Sequence, residues 1–586
     1  MNYFKRFFEI ALLRAIIALY MIVVSAMSNA EITDLNRGLK SRVPVKPFYE
    51  EPRFEEPKPE PLKSEQVLPK VPEIPSQNTS ITNSPAFKVK QIDIVGSTIF
   101  TEQELVNMKT PYEGRIVSID ELQAFRHALS LHYFRRGYIN SGVIIPDQNV
   151  ETGIVKFKVI EGQLTTLNLS GNADLVDDYL FDRIKLGVDQ PLNVNALQQA
   201  LRSLQQNRLI KKINAQLKPS KELGMAELDV FVTEAKAQRL SIAVDNYRTP
   251  SIGAEEITLN YLNSNLAGYG DALDVSYSLS DGLNSTSVHY NVPLTAEETS
   301  LSFFYNQSNS EVIEEPFDQI DIKSESRDFG FNLSTPLYID THTFFTFNTG
   351  MTFKDSDSFL LGEPFSFSAG AIEGQSKSSV LELGGSLVHR AVAEVYMFSL
   401  TARQGLDILD ANMHPDSDIP DASFLSFLGQ GQYASRLEFL PGSQVIARAA
   451  LQLSLDPLLS IEKFSIGGHS TVRGYRENQL VRDNGFTGSI EFRYPLFADR
   501  SGNDPYHFQL APFLDWGKAW DEDIPSQNDE IQTIYSVGIG FLWQPMSGLN
   551  VTSYWGEALE DDVKSDNGDD LQDKGIHFSI TYSQSF

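Results

Sequence analysis

The chain has 586 residues, which is long enough for several domains at the usual size of about 150 residues each. Its formal net charge of −29 argues against a nucleic-acid-binding protein, which needs a basic face to displace counterions from phosphates. The same charge argues against attachment to anionic lipid through a polybasic segment. The chain has no cysteine, which excludes disulfides, thiol catalysis and cysteine metal sites.

Residues 1–30 have the pattern of a secretory signal peptide. Basic residues at 5, 6 and 14 precede an apolar run over 15–26, and the small residues Ser28 and Ala30 follow. The alternative, a membrane anchor, fits less well because the run is shorter than the roughly 20 residues that span a bilayer. No later stretch of 18 apolar residues occurs, so the mature chain is either an exported soluble protein or a β-barrel.

Two segments without a core-forming pattern follow. In residues 31–42, apolar side chains recur at Ile32, Leu35 and Leu39, which fits one short amphipathic plug helix or an unstructured tail equally well. Residues 43–86 contain ten prolines mixed with Glu, Lys and Ser, a composition typical of a semi-extended linker.

Residues 87–162 and 163–236 form two successive α+β modules of about 75 residues with one element order, β-α-α-β-β. In the first module, capping boxes at Thr101 and Ser118 predict two helix starts. In the second, the pattern predicts a helix over Asp174–Ile184 and another that Asn193 caps. The sequence therefore predicts a degenerate internal repeat.

Residues 237–586 alternate between apolar and polar residues in about sixteen runs of 9–11 residues, the length that a tilted strand needs to cross a bilayer. Leu273–Leu279 and Tyr535–Trp543 show this period of two. The polar face is rich in Ser, Asn, Thr and Gly, as expected for a wet lumen. The fold prediction is therefore periplasmic α+β repeats followed by a transmembrane antiparallel β-barrel of about sixteen strands.

The last run includes Tyr582 and ends on Phe586. A terminal aromatic residue on an alternating strand resembles the signal by which outer-membrane barrels are recognised for insertion. This resemblance implies two partners for the chain, the barrel-assembly machinery and outer-membrane lipid.

Several segments resemble the outer-membrane translocators of two-partner secretion (TpsB type), which include the haemolysin and filamentous haemagglutinin secretion-activation proteins. Tyr133–Tyr138 (YFRRGY), Val143–Gln148 (VIIPDQ) and Val159–Gly162 (VIEG) resemble the first polypeptide-transport-associated (POTRA) domain of that family. Asp245–Tyr247 (DNY) resembles its first barrel strand. The resemblance covers most of the chain after residue 86, with a POTRA domain at 87–162, a second at 163–236 and the barrel at 237–586.

The most specific resemblance joins two motifs about 40 residues apart. Val472-Arg473-Gly474-Tyr475 lies within residues 465–485, which correspond to a loop that folds back into the barrel lumen in this superfamily. There the arginine pairs with an aspartate in a Phe-x-Asp-x-Gly strand, which is present here as Phe513, Asp515 and Gly517. Arginine suits this role because its planar guanidinium binds a carboxylate at two points. The alternative for Arg473 is a solvated charge in an external loop.

The resemblance implies a protein of the bacterial outer membrane that binds a large, unfolded secreted partner, a haemolysin-like or adhesin-like exoprotein, through its POTRA domains and exports it. A barrel-assembly factor and a passive porin-like channel are the alternatives. The sequence contains no hydrolase, metalloprotease or nucleotide-binding motif, so no enzyme, catalytic residue, cofactor or metal site is predicted. The acidic stretch 557–573 fits a solvated external loop, or a site for divalent cations.

Overall fold

The computed structural model describes residues 85–340, 342–414, 419–496, 508–522, 532–560 and 569–586. The predicted signal peptide (1–30), the segment 31–42 and all but the last two residues of the predicted linker (43–86) lie outside the described residues. The chain divides into two compact units at the boundary between Ala235 and Lys236. Each unit is described separately below.

The first module of the N-terminal unit is a small α+β domain. A three-stranded sheet of order β2-β5-β4 packs on two helices, and a short β1–β3 pair, which the sequence pattern did not predict, precedes the second helix. The elements are β1 (Ala86–Lys88), β2 (Gln91–Val95), α1 (Glu102–Lys109), β3 (Ile116–Ser118), α2 (Ile119–Arg135), β4 (Gly142–Ile144) and β5 (Ile154–Ile160). The buried face of α2 fills the core with Leu122, Phe125, Leu129 and Tyr133.

Both predicted capping boxes are confirmed. The hydroxyls of Thr101 and Ser118 accept hydrogen bonds from the backbone N–H of Glu104 and Glu121, and each glutamate accepts one from its cap in return. The backbone N–H of Thr101 and the guanidinium of Arg136 lower the pKa of Glu104 to about 2. These local bonds fix where the two helices begin.

The second module repeats the order with a sheet of order β6-β8-β7. Helix α3 begins three residues later than predicted, because the Glu234 carboxylate accepts the backbone N–H groups of Ala173, Asp174 and Leu175 and holds them in a turn. Asn193 caps the second helix as predicted. The elements are β6 (Gln163–Ser170), α3 (Asp177–Lys185), α4 (Val194–Gln205), β7 (Ile210–Pro219) and β8 (Met225–Glu234).

Backbone hydrogen bonds join the two modules directly. The carbonyl of Gly137, which follows α2, accepts the N–H of Val194 at 2.9 Å, and the carbonyl of Gly162 accepts the N–H of Leu192 at 2.7 Å. The Asn140 side chain donates to the Gly224 carbonyl at 3.0 Å. The segment that follows the YFRRGY helix end is therefore part of the junction between the modules.

The C-terminal unit is a closed antiparallel barrel of sixteen long strands, in which the last strand, β27, pairs with the first, β9. A two-residue strand, β16 (Glu363–Pro364), pairs with β15 outside this circuit. The sixteen are β9 (Gln238–Asp245), β10 (Glu256–Asn263), β11 (Ala272–Ser280), β12 (Leu283–Pro293), β13 (Ser300–Glu311), β14 (Ile322–Ile339), β15 (Thr343–Leu360), β17 (Gln375–Arg390), β18 (Glu394–Gly405), β19 (Leu425–Arg436), β20 (Gln444–Ser454), β23 (Asn484–Pro495), β24 (Phe508–Trp520), β25 (Gln532–Met546), β26 (Leu549–Ala558) and β27 (Ile576–Ser585).

The alternation predicted from sequence separates the two faces of the barrel wall. On β14, Phe329 and Phe331 are 48% and 40% exposed on the outer face, while Ser326 is buried inside. This places apolar and aromatic side chains outward and small polar ones toward the lumen, as in barrels that cross a membrane. None of the helices in the described ranges is long and apolar enough to span a bilayer.

The hairpin β14–β15 is longer than the sequence predicted, with 18 residues in each strand. At about 3.4 Å per residue such a strand reaches about 60 Å, twice the thickness of the hydrocarbon core. Asp355 and Asp357 share a face with Phe353, so polar side chains interrupt the apolar outer face beyond Phe353 and the hairpin continues as a largely polar extension. The prediction of 9–11 residues was wrong here because the alternation continues beyond the apolar band.

The longest connection between described barrel strands joins β20 to β23 and covers residues 455–483, hereafter the β20–β23 loop. It contains a small hairpin of β21 (Phe464–Ile466) and β22 (Leu480–Arg482). At the end of the barrel where β9 begins and β27 finishes, most strands are joined by short turns. The β20–β23 loop begins at the opposite end of the barrel.

Replacing Ser118 by Ala should destabilise the first module by about 1 kcal/mol, because a backbone donor at the start of α2 loses its cap. Urea unfolding of a fragment spanning residues 85–235 measures this change. Ser203→Ala, on an exposed position inside α4, is the matched control and should raise the midpoint slightly, because alanine favours a helix more than serine does. Equal midpoints for both variants would contradict the capping role.

Candidate functional site in the barrel lumen

The β20–β23 loop differs in extent from the predicted loop of residues 465–485. It begins ten residues earlier than predicted. Leu458, Leu459 and Ile461 are apolar, as strand residues would be, but they pack inside the barrel and do not form a strand. It ends two residues earlier, because β23 starts at Asn484. Its tip, residues 472–477, is buried against the inner wall formed by β23 to β27.

Arg473 and Asp515 form a bidentate ion pair in the lumen. Arg473 Nε lies 2.8 Å from Asp515 Oδ2 and Nη2 lies 2.8 Å from Oδ1. The backbone N–H of Arg473 also donates to Oδ2, at 3.1 Å. Both side chains are almost completely buried. The two halves of the sequence motif are thus in contact, in the geometry that a guanidinium allows and an ammonium does not.

Glu491, on the inner face of β23, is a second carboxylate partner. Its Oε2 lies 2.5 Å from Arg473 Nη1, and its Oε1 lies 2.6 Å from Arg493 Nε. Ser489, also on β23, accepts from Arg473 Nη2 at 3.1 Å and donates to Asp515 at 2.6 Å. The arginine thus bridges two carboxylates on neighbouring strands, which satisfies the charges that burial would otherwise make costly.

Two aromatic rings pack against the same guanidinium. Arg473 Cζ lies 3.6 Å from the ring centroid of Phe513 and 4.6 Å from that of Tyr554. Such cation–π contacts strengthen when water is excluded. Phe513 therefore has a defined place in the Phe-x-Asp-x-Gly motif, because its ring covers the cation that Asp515 holds.

The remaining motif residues shape the space around the ion pair. A Cβ atom on Gly517 would lie 3.0 Å from Val472 Cγ2, so this glycine leaves room for the valine. Gly474 has a φ of +94°, and a Cβ there would lie 2.8 Å from the carbonyl oxygen of Gly556. Tyr475 Oη donates to the Tyr535 carbonyl at 3.0 Å. Side chains of the loop approach Gly517 closely, and backbone approaches Gly474, which explains both glycines.

The sequence analysis did not identify Glu491, Ser489 or Tyr554 as partners. Glu491 lies on β23, and the alternation of that strand places it on the same face as Ser489. A count of lumen-facing charges could therefore have found Glu491. Tyr554 carries no comparable signal, because its position depends on how β26 closes against β25.

The Asp245–Tyr247 motif also contacts the loop. The Tyr247 ring stacks on His469 with centroids 3.8 Å apart. The Asn246 side chain donates to the Ile576 carbonyl and accepts the Phe578 N–H, at 2.9 and 2.8 Å. This motif therefore links the first strand, the last strand and the loop.

A second arginine anchors the loop tip to the acidic stretch 557–573. Arg476 forms a bidentate ion pair with Asp573 and reaches Glu314, in the β13–β14 connection, at 2.8 Å. Within the described residues, no group of three or more His, Asp or Glu side chains is arranged to hold a metal ion. The alternative of cation binding in this stretch gains no support from the part of it that the structure describes.

Replacing Arg473 by Ala leaves Asp515 and Glu491 buried without their shared cation, a change that costs about 3–5 kcal/mol for buried pairs. We expect the loop tip to leave its site, which protease cleavage near residue 473 and ion conductance in planar bilayers both detect. Arg473→Lys should give an intermediate result. The control is Arg327→Ala, which removes an exposed pair with Glu325 on β14. Wild-type protection and conductance in Arg473→Ala would contradict this account.

Comparison with known protein families places this geometry in context. The model of the haemolysin secretion/activation protein ShlB/FhaC/HecB matches residues 224–542, more than half of the chain. The model of the ShlB-type POTRA domain matches residues 87–162, the first module.

Similar proteins come from several Gram-negative bacteria. Outer membrane transporter CdiB of Escherichia coli is 24% identical over 496 residues, which cover 82% of this chain and 79% of CdiB. Hemolysin transporter protein ShlB of Serratia marcescens is 22% identical over 507 residues, which cover 81% and 85% of the two chains.

Solved structures share the fold. CdiB from Escherichia coli aligns with a TM-score of 0.61 at 19% identity over 88% of this chain and 93% of that one. CdiB from Acinetobacter baumannii aligns with a TM-score of 0.57 at 17% identity over 98% of both chains. Two POTRA modules, a sixteen-stranded barrel and the family match together show that this chain belongs to the haemolysin secretion/activation family of two-partner secretion transporters, which work in the outer membrane and are not enzymes.

Proposed function

We propose that this transporter binds one unfolded partner exoprotein in the periplasm through its POTRA domains and exports it through the barrel to the cell surface or medium. The observation that carries the proposal is the closed barrel whose lumen holds a long loop on a buried Arg473–Asp515 ion pair. A loop held at one defined place in the lumen suits a channel that opens for a particular cargo. Two relatives are named for transport: ShlB is a hemolysin transporter protein, and HuxB of Haemophilus influenzae is a heme/hemopexin transporter protein.

Strand addition is a physical route for cargo binding by the POTRA domains. The sheet of the first module ends at β2 and β4, and that of the second at β6 and β7. A sheet edge offers unpaired N–H and C=O groups, which bind an extended chain through its main chain with little demand on its sequence. This suits a cargo that arrives unfolded, because an unfolded chain presents its own backbone.

We propose that the Arg473–Asp515 pair holds the loop in the position from which export begins. Arg473→Ala and Asp515→Ala should each reduce secretion strongly while leaving the barrel folded and inserted. The readouts are partner protein in the culture medium and the heat-modifiable migration of the barrel in membrane extracts. Normal secretion by both variants would rule out this role.

Identification of the cargo tests the proposed function itself. Deleting the gene should remove one large protein from the culture medium, and supplying the gene again should restore it. A barrel-assembly factor would instead lower the amount of many outer-membrane barrels, and a passive channel would change only the uptake of small solutes. Either result without loss of a secreted protein would contradict the proposed export.

We further propose that Tyr582 and Phe586 are an insertion signal read by the barrel-assembly machinery. Tyr582 is 38% and Phe586 is 55% exposed, and both lie at the end of the strand that closes the barrel. Phe586→Ser should lower the amount of inserted barrel, as measured by its heat-modifiable migration. Ser585→Ala, one residue away, is the control and should insert normally. Normal insertion of Phe586→Ser would remove support for the signal.

A further inference from the structure

The β20–β23 loop is fixed in a second place, well before its tip. Residues 456–462, hereafter the arm, lead from β20 to the small hairpin. Leu458 and Leu459 are completely buried. Leu458 packs with Val380 and Phe424, and Leu459 packs in a cluster that includes Ala422. The arm is therefore held by apolar contacts with the β17–β19 side of the barrel.

The last arm residue, Glu462, is at the centre of a buried ion cluster. Its carboxylate lies 2.7 Å from Lys354 Nζ and 2.5 Å from Arg403 Nη2, and it accepts from Ser378 Oγ at 2.6 Å. These partners lie on β15, β18 and β17. The side chain of Glu462 is 0% exposed, and those of Lys354 and Arg403 are 8% and 4% exposed.

The charges of this cluster make the arm difficult to withdraw. Glu462 is the carboxylate that Lys354 and Arg403 share, and Arg403 has a further contact with Glu382 on β17 at 3.3 Å. Pulling Glu462 away would take from both buried cations the carboxylate that they share. Burial makes this loss costly.

The tip is held on a different part of the wall, by Arg473 on β23 and β24. Between the arm and the tip, Gly467 and Gly468 have φ values of +113° and +92°. A Cβ atom on Gly468 would lie within 2.2 Å of the Glu477 carboxylate, so side chains are excluded there. Two successive glycines are a natural pivot, because their backbone reaches conformations closed to other residues.

We propose that Glu462 is a positioning residue for export: it pins the arm to β15–β18 so that the tip alone swings aside, on Gly467 and Gly468, when cargo passes. This inference rests on the proposed export function. Removing the whole loop from the lumen would break both buried ion clusters and the apolar contacts of the arm. Releasing the tip breaks only the contacts beyond Gly468, so it is the less costly way to open the lumen.

Two engineered disulfides separate the motions, and the chain has no cysteine of its own to interfere. The Ser368 and Ser460 hydroxyls lie 3.2 Å apart, so Ser368→Cys with Ser460→Cys ties the arm to the β15–β17 connection. Val472→Cys with Gly517→Cys ties the tip to β24, because a Cβ on residue 517 lies 3.0 Å from Val472 Cγ2. Thiol labelling after denaturation shows how much of each disulfide has formed.

We expect the arm-locked protein to secrete the partner at the wild-type level with or without reductant. Because Val472 and Gly517 belong to the motif, the tip-locked protein is compared with its own reduced form, and it should secrete several-fold less when oxidised than when reduced. Either of two results would overturn the proposal. One is an arm-locked protein that exports the partner only after reduction, and the other is a tip-locked protein that exports as much when oxidised as when reduced. The unmodified chain is the reference: if it exports no partner, the proposed function fails, whereas a failure confined to the arm lock affects only the pivot.

A second test does not depend on disulfide formation. Glu462→Gln should lower secretion several-fold and raise the ion conductance of the purified barrel, and Glu462→Asp should recover part of both. Glu382→Gln is the matched control, because it removes another carboxylate from Arg403 without touching the loop. Equal conductance and secretion in Glu462→Gln and Glu382→Gln would show that the arm is not positioned by Glu462.

Discussion

The barrel depends on one constraint, namely that charges buried in its lumen must be paired. Arg473 meets this constraint with Asp515 and Glu491, two carboxylates on adjacent strands. The pairing couples the fold of the β20–β23 loop to the register of β23 and β24, since a shift of one residue would turn Asp515 outward. The same rule explains why Glu462 lies between Lys354 and Arg403. A loop inside this barrel is thus held by paired charges as well as by apolar packing.

The two ion clusters hold two separate parts of the loop, to which we assign different roles. The arm is held by apolar packing and by Glu462, and the tip is held by Arg473 and Arg476. A transporter needs a lumen that is closed at rest and open for cargo, which favours one fixed segment and one that can be released. In the proposed mechanism, the energy of these contacts sets how easily the channel opens.

Local sequence signals predicted the N-terminal unit well, because capping boxes act within a few residues. Thr101 and Ser118 marked two helix starts that the structure contains. The start of α3 was placed too early, because Glu234, about sixty residues later in the chain, holds the preceding turn. In the barrel, alternation predicted the faces but not the ends of the strands, since the polar extension of β14 and β15 continues the same period beyond the apolar band.

The barrel, the repeated modules and the two motifs whose residues meet in the lumen could all be predicted from the sequence. The alternation of apolar and polar residues can be seen within a single strand, so it needs no knowledge of the neighbouring strands. The motifs could be found because Val472–Tyr475 and Phe513–Gly517 resemble known motifs. The other charges that join them became visible in the folded barrel alone. Glu491, Lys354 and Arg403 acquire their partners when strands distant in sequence close into one lumen, and no local pattern records that closure.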